Sequence, residues 1–346
     1  MLLAFPLVAG GILTQRFAPT KRSSGHYFSN VSPSGDTLLV RLRDNASYRA
    51  VSGTLTSSNR VLEISGTLKD QMLEGIAFRR VADKQETNLV VRASLAGLQR
   101  SLKLNLGKLY EPMKAPLIAK ETHTVTDRRF KFGRYGATRK ASASVPQIED
   151  VFLASRLFNE RLEAEGQVKI LEFQSGFWNL LIDSFKLPGM SYDWVSDTDL
   201  ELQFVSEHFA SVKIWNYSFT GGAHGNTSFE GMNFYAPEAG KLIRFHLLEL
   251  FENGAVGAAV CAAECLLELR AQGAQFVLNG LVSELAADEL NAFTVSSQGL
   301  LFHFSPYQVA PYSQGTFQVF VAADKFGLHL ARHELGRALR QLWHIL

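Results

Sequence analysis

Leu200-Glu-Leu-Gln-Phe-Val205 and Ser211-Val-Lys-Ile-Trp-Asn-Tyr-Ser-Phe219 decide the class of this fold. Each run alternates apolar and polar residues at a period of two, the signature of a half-buried strand. The short segment between them, Ser206–Ala210, has no room for a helix, so the two strands pair as an antiparallel hairpin. Helical periodicity appears on both sides of this hairpin rather than between its strands. Hairpins with helices around them indicate α+β, not a doubly wound parallel sheet.

Towards the C-terminus the spacing predicts a helix at about Leu247–Phe251 and a longer one over Ala255–Ala271, closed by Gly273. Ser283 is suited to cap a short helix that ends at Leu290. Phe293–Ser296 and Leu300–Phe304 form a second hairpin across Ser297-Gln-Gly299, and Thr316–Val321 adds a strand. Leu328–Leu346 reads as a terminal helix, with Leu328, Ala331, Leu335, Leu339, Leu342 and Leu346 on its apolar stripe. Arg332, His333, Arg337, Arg340 and His344 face away from that stripe as a solvated basic face, with a partner or phosphate surface as the sharper alternative.

Towards the N-terminus, Ala141–Val145 reads as a strand ending at Pro146. Glu149–Glu165 follows as a helix with Val151, Phe152, Phe158 and Leu162 on one stripe and Gly166 as its cap. A second amphipathic helix is expected over 168–185, carrying Phe173, Phe177, Leu180 and Leu181. Pro112 and Pro116 break the pattern, because proline cannot donate within a central strand, so 109–125 reads as a linker. Residues 26–108 then form a small all-β domain, barrel-like or sandwich-like. Its strands include Thr37–Leu42, Leu73–Arg79, Asn88–Ser94 and Leu102–Leu106, with glycines at the corners. Ser52-Gly-Thr-Leu55 recurs as Ser65-Gly-Thr-Leu68 within it. The resulting division is 1–25 as a signal remnant or leading strand, 26–108, the linker, a module over 126–327, and a helix over 328–346. The apolar run Leu2–Leu13 has the length of a signal h-region, but its basic residues follow it instead of preceding it.

With 46% hydrophobic residues, 20% charged residues and a formal net charge of +2 over 346 residues, the chain has the composition of a globular protein. It carries no sequence-wide basic field for nucleic acid or anionic lipid. No apolar segment reaches the ~20 residues of a membrane span. Cys261 and Cys265 share one helix face and read as small core residues. His333-Glu334 begins like HExxH, but Arg337 stands where the second histidine would be. His329 and His333 are spaced to share a helix face and are read as solvated. Asp197, Asp199 and Glu201 share a strand face, read as facing solvent. No nucleophile elbow, Walker loop or dinucleotide fingerprint is present, and no cofactor is expected.

Two runs remain. Tyr217-Ser-Phe-Thr-Gly-Gly-Ala-His-Gly-Asn226 lies at a strand end, and Phe304-Ser-Pro-Tyr-Gln-Val-Ala-Pro-Tyr-Ser-Gln-Gly315 lies between strands. Gly221, Gly222 and Gly225 permit a tight loop whose N–H groups face outward, and His224 reads as a structural loop histidine. Pro306, Tyr307, Pro311 and Tyr312 form a stiff aromatic loop, equally suited to binding a ligand or filling a core edge. Together with Gly240-Lys-Leu and Leu250-Phe251, these runs resemble the extracytoplasmic domain shared by the lysozyme-sensing anti-sigma factor RsiV and the N-terminal region of the peptidoglycan deacetylase PdaC. The likeness covers about 126–325, and it does not extend to their sigma-binding, membrane or deacetylase segments.

The resemblance implies an exported, periplasmic or extracellular, non-enzymatic binding or sensor-type protein of the cell envelope. Lysozyme or a peptidoglycan fragment is then the expected ligand, and Tyr217, Gly221, Gly222, His224, Pro306, Tyr307, Pro311 and Tyr312 the expected site. A cell-wall-directed hydrolase whose carboxylates meet only in three dimensions is the alternative, and a purely structural envelope module is the third reading.

Overall fold

Period-two alternation dominates the first half of the chain, and it builds one curled sheet. The computed structural model describes residues 13–16, 19–31, 36–44, 49–57, 60–69, 72–81, 84–96, 101–105, 113–132, 135–175 and 193–345. The strands before the first helix are β1 (Leu13–Arg16), β2 (Thr20–Val31), β3 (Thr37–Asp44), β4 (Arg49–Ser57) and β5 (Arg60–Lys69). They continue as β6 (Met72–Val81), β7 (Lys84–Ala96), β8 (Ser101–Asn105), β9 (Met113–Phe132) and β10 (Tyr135–Ile148). Strands β2 to β9 form an antiparallel meander, and β9 pairs with both β8 and β2, so the meander closes into a barrel. Closure satisfies the edge hydrogen bonds that an open sheet leaves exposed. Alternate residues of β2 to β5, among them Phe28, Leu38, Val40, Leu42, Leu55, Leu62 and Ile64, fill its interior.

Strand β9 leaves the barrel at its C-terminal half. Its first residues pair with β8 and its middle with β2, while Ala119–Phe132 pair with β10. The sheet then extends through β11 (Asp193–Val205), β12 (Phe209–Phe219), β13 (Asn226–Tyr235) and β14 (Ile243–Phe245). Because β10 and β11 run parallel, the chain must cross over between them, and helix α1 (Ser155–Ser175) lies in that crossover. Phe158 of α1 is fully buried and packs edge-on against Phe152 and Phe234. A second sheet of β15 (Phe293–Ser296), β16 (Gly299–Phe304) and β17 (Phe317–Ala322) packs on β11–β13. Helices α2 (Gly254–Ala271) and α3 (Glu334–Trp343) close the other side of its core. The class is therefore α+β, with both expected hairpins present, β11–β12 and β15–β16.

Several expectations need correction. The linker expected at 109–125 is strand from Met113 onward, and Pro116 sits within β9 at a position paired to Ser101. Proline is tolerated there because β9 changes partners at that point, from β8 to β2. Pro146 likewise lies inside β10, opposite Glu121. Gly166 does not cap a helix: α1 runs through it, and a Cβ there would meet Val145 Cγ2 at 2.8 Å. The missing side chain lets α1 approach β10, and the expected break between two helices is absent. Of the second helix, 168–175 belongs to α1, whereas 176–185 lies outside the described residues.

The glycines expected at barrel corners, Gly53 and Gly66, stand mid-strand instead. Ser52 faces Ser65 across β4 and β5, so the repeated Ser-Gly-Thr-Leu segments are paired partners. The terminal helix starts at Glu334, not Leu328. Leu330 is held extended in a bridge to Phe251, His333 caps the helix by accepting from Gly336 N, and Leu328 is 93% exposed. His329 and His333 therefore share no helix face. The short helix expected from Ser283 reduces to a 3-10 turn at Ala287–Leu290. Of the apolar run Leu2–Leu13, all but Leu13 lies outside the described residues. No described helix is long and apolar enough to cross a membrane.

Candidate functional site

The two singled-out runs meet. Thr220–Gly225 is the turn between β12 and β13, and Ser305–Thr316 connects β16 to β17. Two residues of the turn, Gly221 and Gly222, have φ of 101° and 98°, backbone that side-chain-bearing residues rarely adopt. Gly225 is required for a different reason. A Cβ there would lie 2.3 Å from the Tyr217 ring, which in turn stacks on Trp215.

The second loop is pinned from beneath by buried Val309 and Ala310. Tyr307 N donates to Ala310 O at 3.0 Å, and Ser305 Oγ accepts from Phe229 N at 3.1 Å. Between those anchors Tyr307 is 54% exposed and adopts φ 69°, the left-handed region. For a bulky L-residue that conformation costs about 1–2 kcal/mol, so the surrounding contacts must hold it. Pro306 and Pro311, both half-buried, fix the backbone on either side.

His224, exposed at the end of the turn, stacks on Tyr312 with ring centroids 4.0 Å apart and planes 19° from parallel. Tyr307 lies 5.6 Å from Tyr312 and 6.5 Å from His224. His224 Nδ1 is 2.9 Å from Gly225 O, a carbonyl that can only accept, so the proton sits on Nδ1. His224 Nε2 lies 3.5 Å from the Tyr307 hydroxyl. Tyr312 donates its hydroxyl to Gly225 O at 3.2 Å and joins the two loops. The aromatic loop thus divides its roles: Tyr312 ties the loops together while Tyr307 projects outward. The arrangement offers ring faces and phenol edges for stacking and hydrogen bonding.

A second constellation was missed by sequence reasoning. On β3, Leu38, Val40 and Leu42 fill the barrel, so Arg41 and Arg43 must point out of it. Carboxylates of β9 and β11 cover Arg41 there, while Arg43 beside it stays partly exposed. Arg41, 6% exposed, donates Nε to Glu121 at 2.6 Å and both terminal nitrogens to Asp199. Arg43 adds a 2.6 Å bond to Asp199, and Ser24 donates to Glu121 at 2.6 Å. Glu201 bridges Arg41 at 3.3 Å and Lys213 at 2.5 Å.

The solvent face expected for Asp199 and Glu201 is therefore wrong: Asp199 is buried, and Glu201 is half-buried in this network. Burial alone would raise the Asp199 carboxyl, but Arg41 and then Arg43 hold it below the usual range. Burial, more than any neighbour, pushes the Tyr27 phenol beside Arg41 well above 10.0. The available signal was an arginine pair alternating with core residues on a strand, which resembles an ordinary solvated face.

Cys261 and Cys265 are both fully buried, and burial pushes the Cys261 thiol up to about 12. Among the described residues no three His, Cys, Asp or Glu side chains gather as metal ligands.

Residues 268–324 match the model of a family described as a protein of unknown function, DUF3298. That segment contains the proline–aromatic loop and the whole second sheet, and none of β11–β13. Among solved structures, a DUF3298-family protein of Bacteroides fragilis matches with a TM-score of 0.42 and 12% identity, over 61% of this chain and 91% of its own. A DUF3298-family protein of Pseudomonas aeruginosa PAO1 matches with a TM-score of 0.44 and 15% identity, over 63% of this chain and 95% of its own. No curated protein matches the chain.

Proposed function

We propose that this chain is a non-enzymatic, exported binding protein of the cell envelope, and that it belongs with the DUF3298 proteins. In this reading it shares the RsiV- and PdaC-like likeness, and lysozyme or a cell-wall glycan is its ligand. One observation carries the choice of site: Tyr307 is held outward at φ 69° beside the stacked His224–Tyr312 pair. A strained, exposed aromatic anchored by buried neighbours is already ordered before a partner arrives, which lowers the entropic cost of binding. Sugar rings and protein surfaces both pack against such faces, and tyrosine is enriched among residues that dominate interface energies.

Calorimetric titration of the full chain with lysozyme and, separately, with soluble muropeptides tests the reading. Saturable binding to one of them, weakened at least tenfold in Tyr307→Ala, is expected. Absence of binding to both would remove the proposal, as would binding that Tyr307→Ala leaves intact.

A further inference from the structure

The barrel wall and the β11–β12 hairpin do not close on each other completely. Between them lies a cleft of about 280 Å³. It has room for about nine waters at the ~30 Å³ each occupies in the liquid, and it lies near the lower end of small-molecule sites, at roughly 300 Å³.

Strand parity decides which groups line it. On the barrel side, Arg41, Ser52 and Ser65 stand on neighbouring strands in direct register, Arg41 opposite Ser52 and Ser52 opposite Ser65. Leu39, Thr54 and Glu63 form the next row of the same face. Across the cleft stand Glu201 and its register partner Lys213, with Gln203 and Gln318 beside them. The floor is buried, with Tyr27 and Leu202 each at 1%, whereas Ser52 and Ser65 at the mouth are exposed. The cleft therefore opens to solvent over a rigid base.

Its charges are already matched. Arg41, Arg43 and Lys213 are met by Glu121, Asp199 and Glu201 in one continuous ion-pair network. Glu63 at the rim has a partner of its own. An anionic or cationic ligand would have to compete with those pairs, and breaking a buried pair is costly. A neutral ligand would not. What remains on offer is a ring of hydroxyl and amide groups, each able to donate and accept, interrupted by the apolar surfaces of Leu39 and Leu202. Polar groups that alternate donor and acceptor around small apolar patches complement a compact molecule with hydroxyls on its edge and C–H bonds on its faces.

We infer that the cleft between the barrel wall and the β11–β12 hairpin is a binding site for a small neutral polyhydroxylated molecule, of the size of one sugar ring. The site is separate from the Tyr307 loop and does not depend on the function proposed for it. Arg41 and Lys213 act there by holding Glu201 in place as an acceptor for ligand hydroxyls.

Calorimetry of the full chain with D-glucose and with myo-inositol tests this, with inorganic phosphate as the charged probe. At least one neutral probe should bind saturably. Ser65→Trp, which blocks the mouth from an exposed position, should weaken it tenfold or more, and Gln203→Leu should weaken it several-fold, both with wild-type circular dichroism. Tyr307→Ala should leave it unchanged. Failure of both neutral probes to bind overturns the inference, as does binding unaffected by Ser65→Trp and Gln203→Leu, or phosphate competing for the site. Loss in Tyr307→Ala alone would assign the binding to the aromatic loop and overturn it equally.

Discussion

At the scale of single residues, Tyr307 and His303 show how conformation and burial change what a side chain does. Tyr307 holds φ 69°, which glycine adopts freely, while glycine also loses more backbone entropy on folding. The two effects oppose each other at about 1 kcal/mol each. Tyr307→Gly should therefore shift unfolding stability by no more than about 1 kcal/mol while abolishing binding at the loop, as read by denaturant unfolding and titration.

His303 is fully buried between Thr294 Oγ1 at 3.0 Å and Gln318 Nε2 at 3.2 Å. Burial, reinforced by Lys213, holds its pKa well below 6.5, so it stays neutral in the fold. The unfolded chain takes up a proton below that value and the folded one does not. Stability is thus retained above about pH 6.5 and declines as the pH falls, by up to about 1.4 kcal/mol per pH unit for one proton. His303→Gln should flatten this decline between about pH 6.5 and 5 in pH-dependent denaturant unfolding. An unchanged slope would place the proton uptake elsewhere.

At the scale of elements, α1 illustrates a helix whose position depends on one absent side chain. The sequence pattern placed Phe158 and Leu162 on the buried stripe, and both are fully buried. It could not show why Gly166 is there, because glycine at a helix end and glycine at a close crossing look alike in sequence. A Cβ at Gly166 would meet Val145 Cγ2 at 2.8 Å and Ala143 Cβ at 3.4 Å, so only a small group can be accommodated, and only if Val145 shifts. Gly166→Leu should destabilise by about 1–3 kcal/mol through overpacking, although leucine is the better helix former. Phe158→Ala should cost about 3–5 kcal/mol by leaving a cavity beside Phe152 and Phe234. Chemical denaturation measures both. The β11–β12 and β15–β16 hairpins were legible because alternation and a short connection are local signals. The start of α3 was not, because the bridge between Leu330 and Phe251 that keeps the preceding segment extended is a contact between distant residues.

At the scale of the whole molecule, the Arg41 network ties the barrel to the strands that curl over it. Arg41 comes from β3, Glu121 from β9 and Asp199 from β11, and no two of them are near in sequence. Removing the cation alone leaves two buried carboxylates without their main partner. Arg41→Met should therefore destabilise by about 3–5 kcal/mol, more than the loss of an exposed pair would cost. The Asp199 contribution has a defined sign. Its folded pKa is held below 3.8, so the stabilisation is present above that value and is lost as the pH falls through the folded pKa. Acid unfolding of Arg41→Met should consequently begin at higher pH than in the wild type, monitored by tryptophan fluorescence. An unshifted acid transition would mean that the network contributes little to coupling the two parts.

The sequence by itself determined the α+β class, the run of short N-terminal strands with barrel and sandwich both open, the two hairpins and the residues Tyr217, Gly221, Gly222, His224, Pro306, Tyr307, Pro311 and Tyr312 as a set worth examining. Periodicity, glycine and proline are consequences of local backbone physics, and they can be read within a window of a few residues. Only the tertiary structure decided that β9 belongs to both the barrel and the extended sheet, that His224 stacks on Tyr312, and that Arg41 and Asp199 are buried together. Each of these rests on a contact between residues more than 80 positions apart, β9 with β2, His224 with Tyr312 and Arg41 with Asp199, and a charged residue on a strand carries no mark in sequence of whether water or another strand lies opposite it.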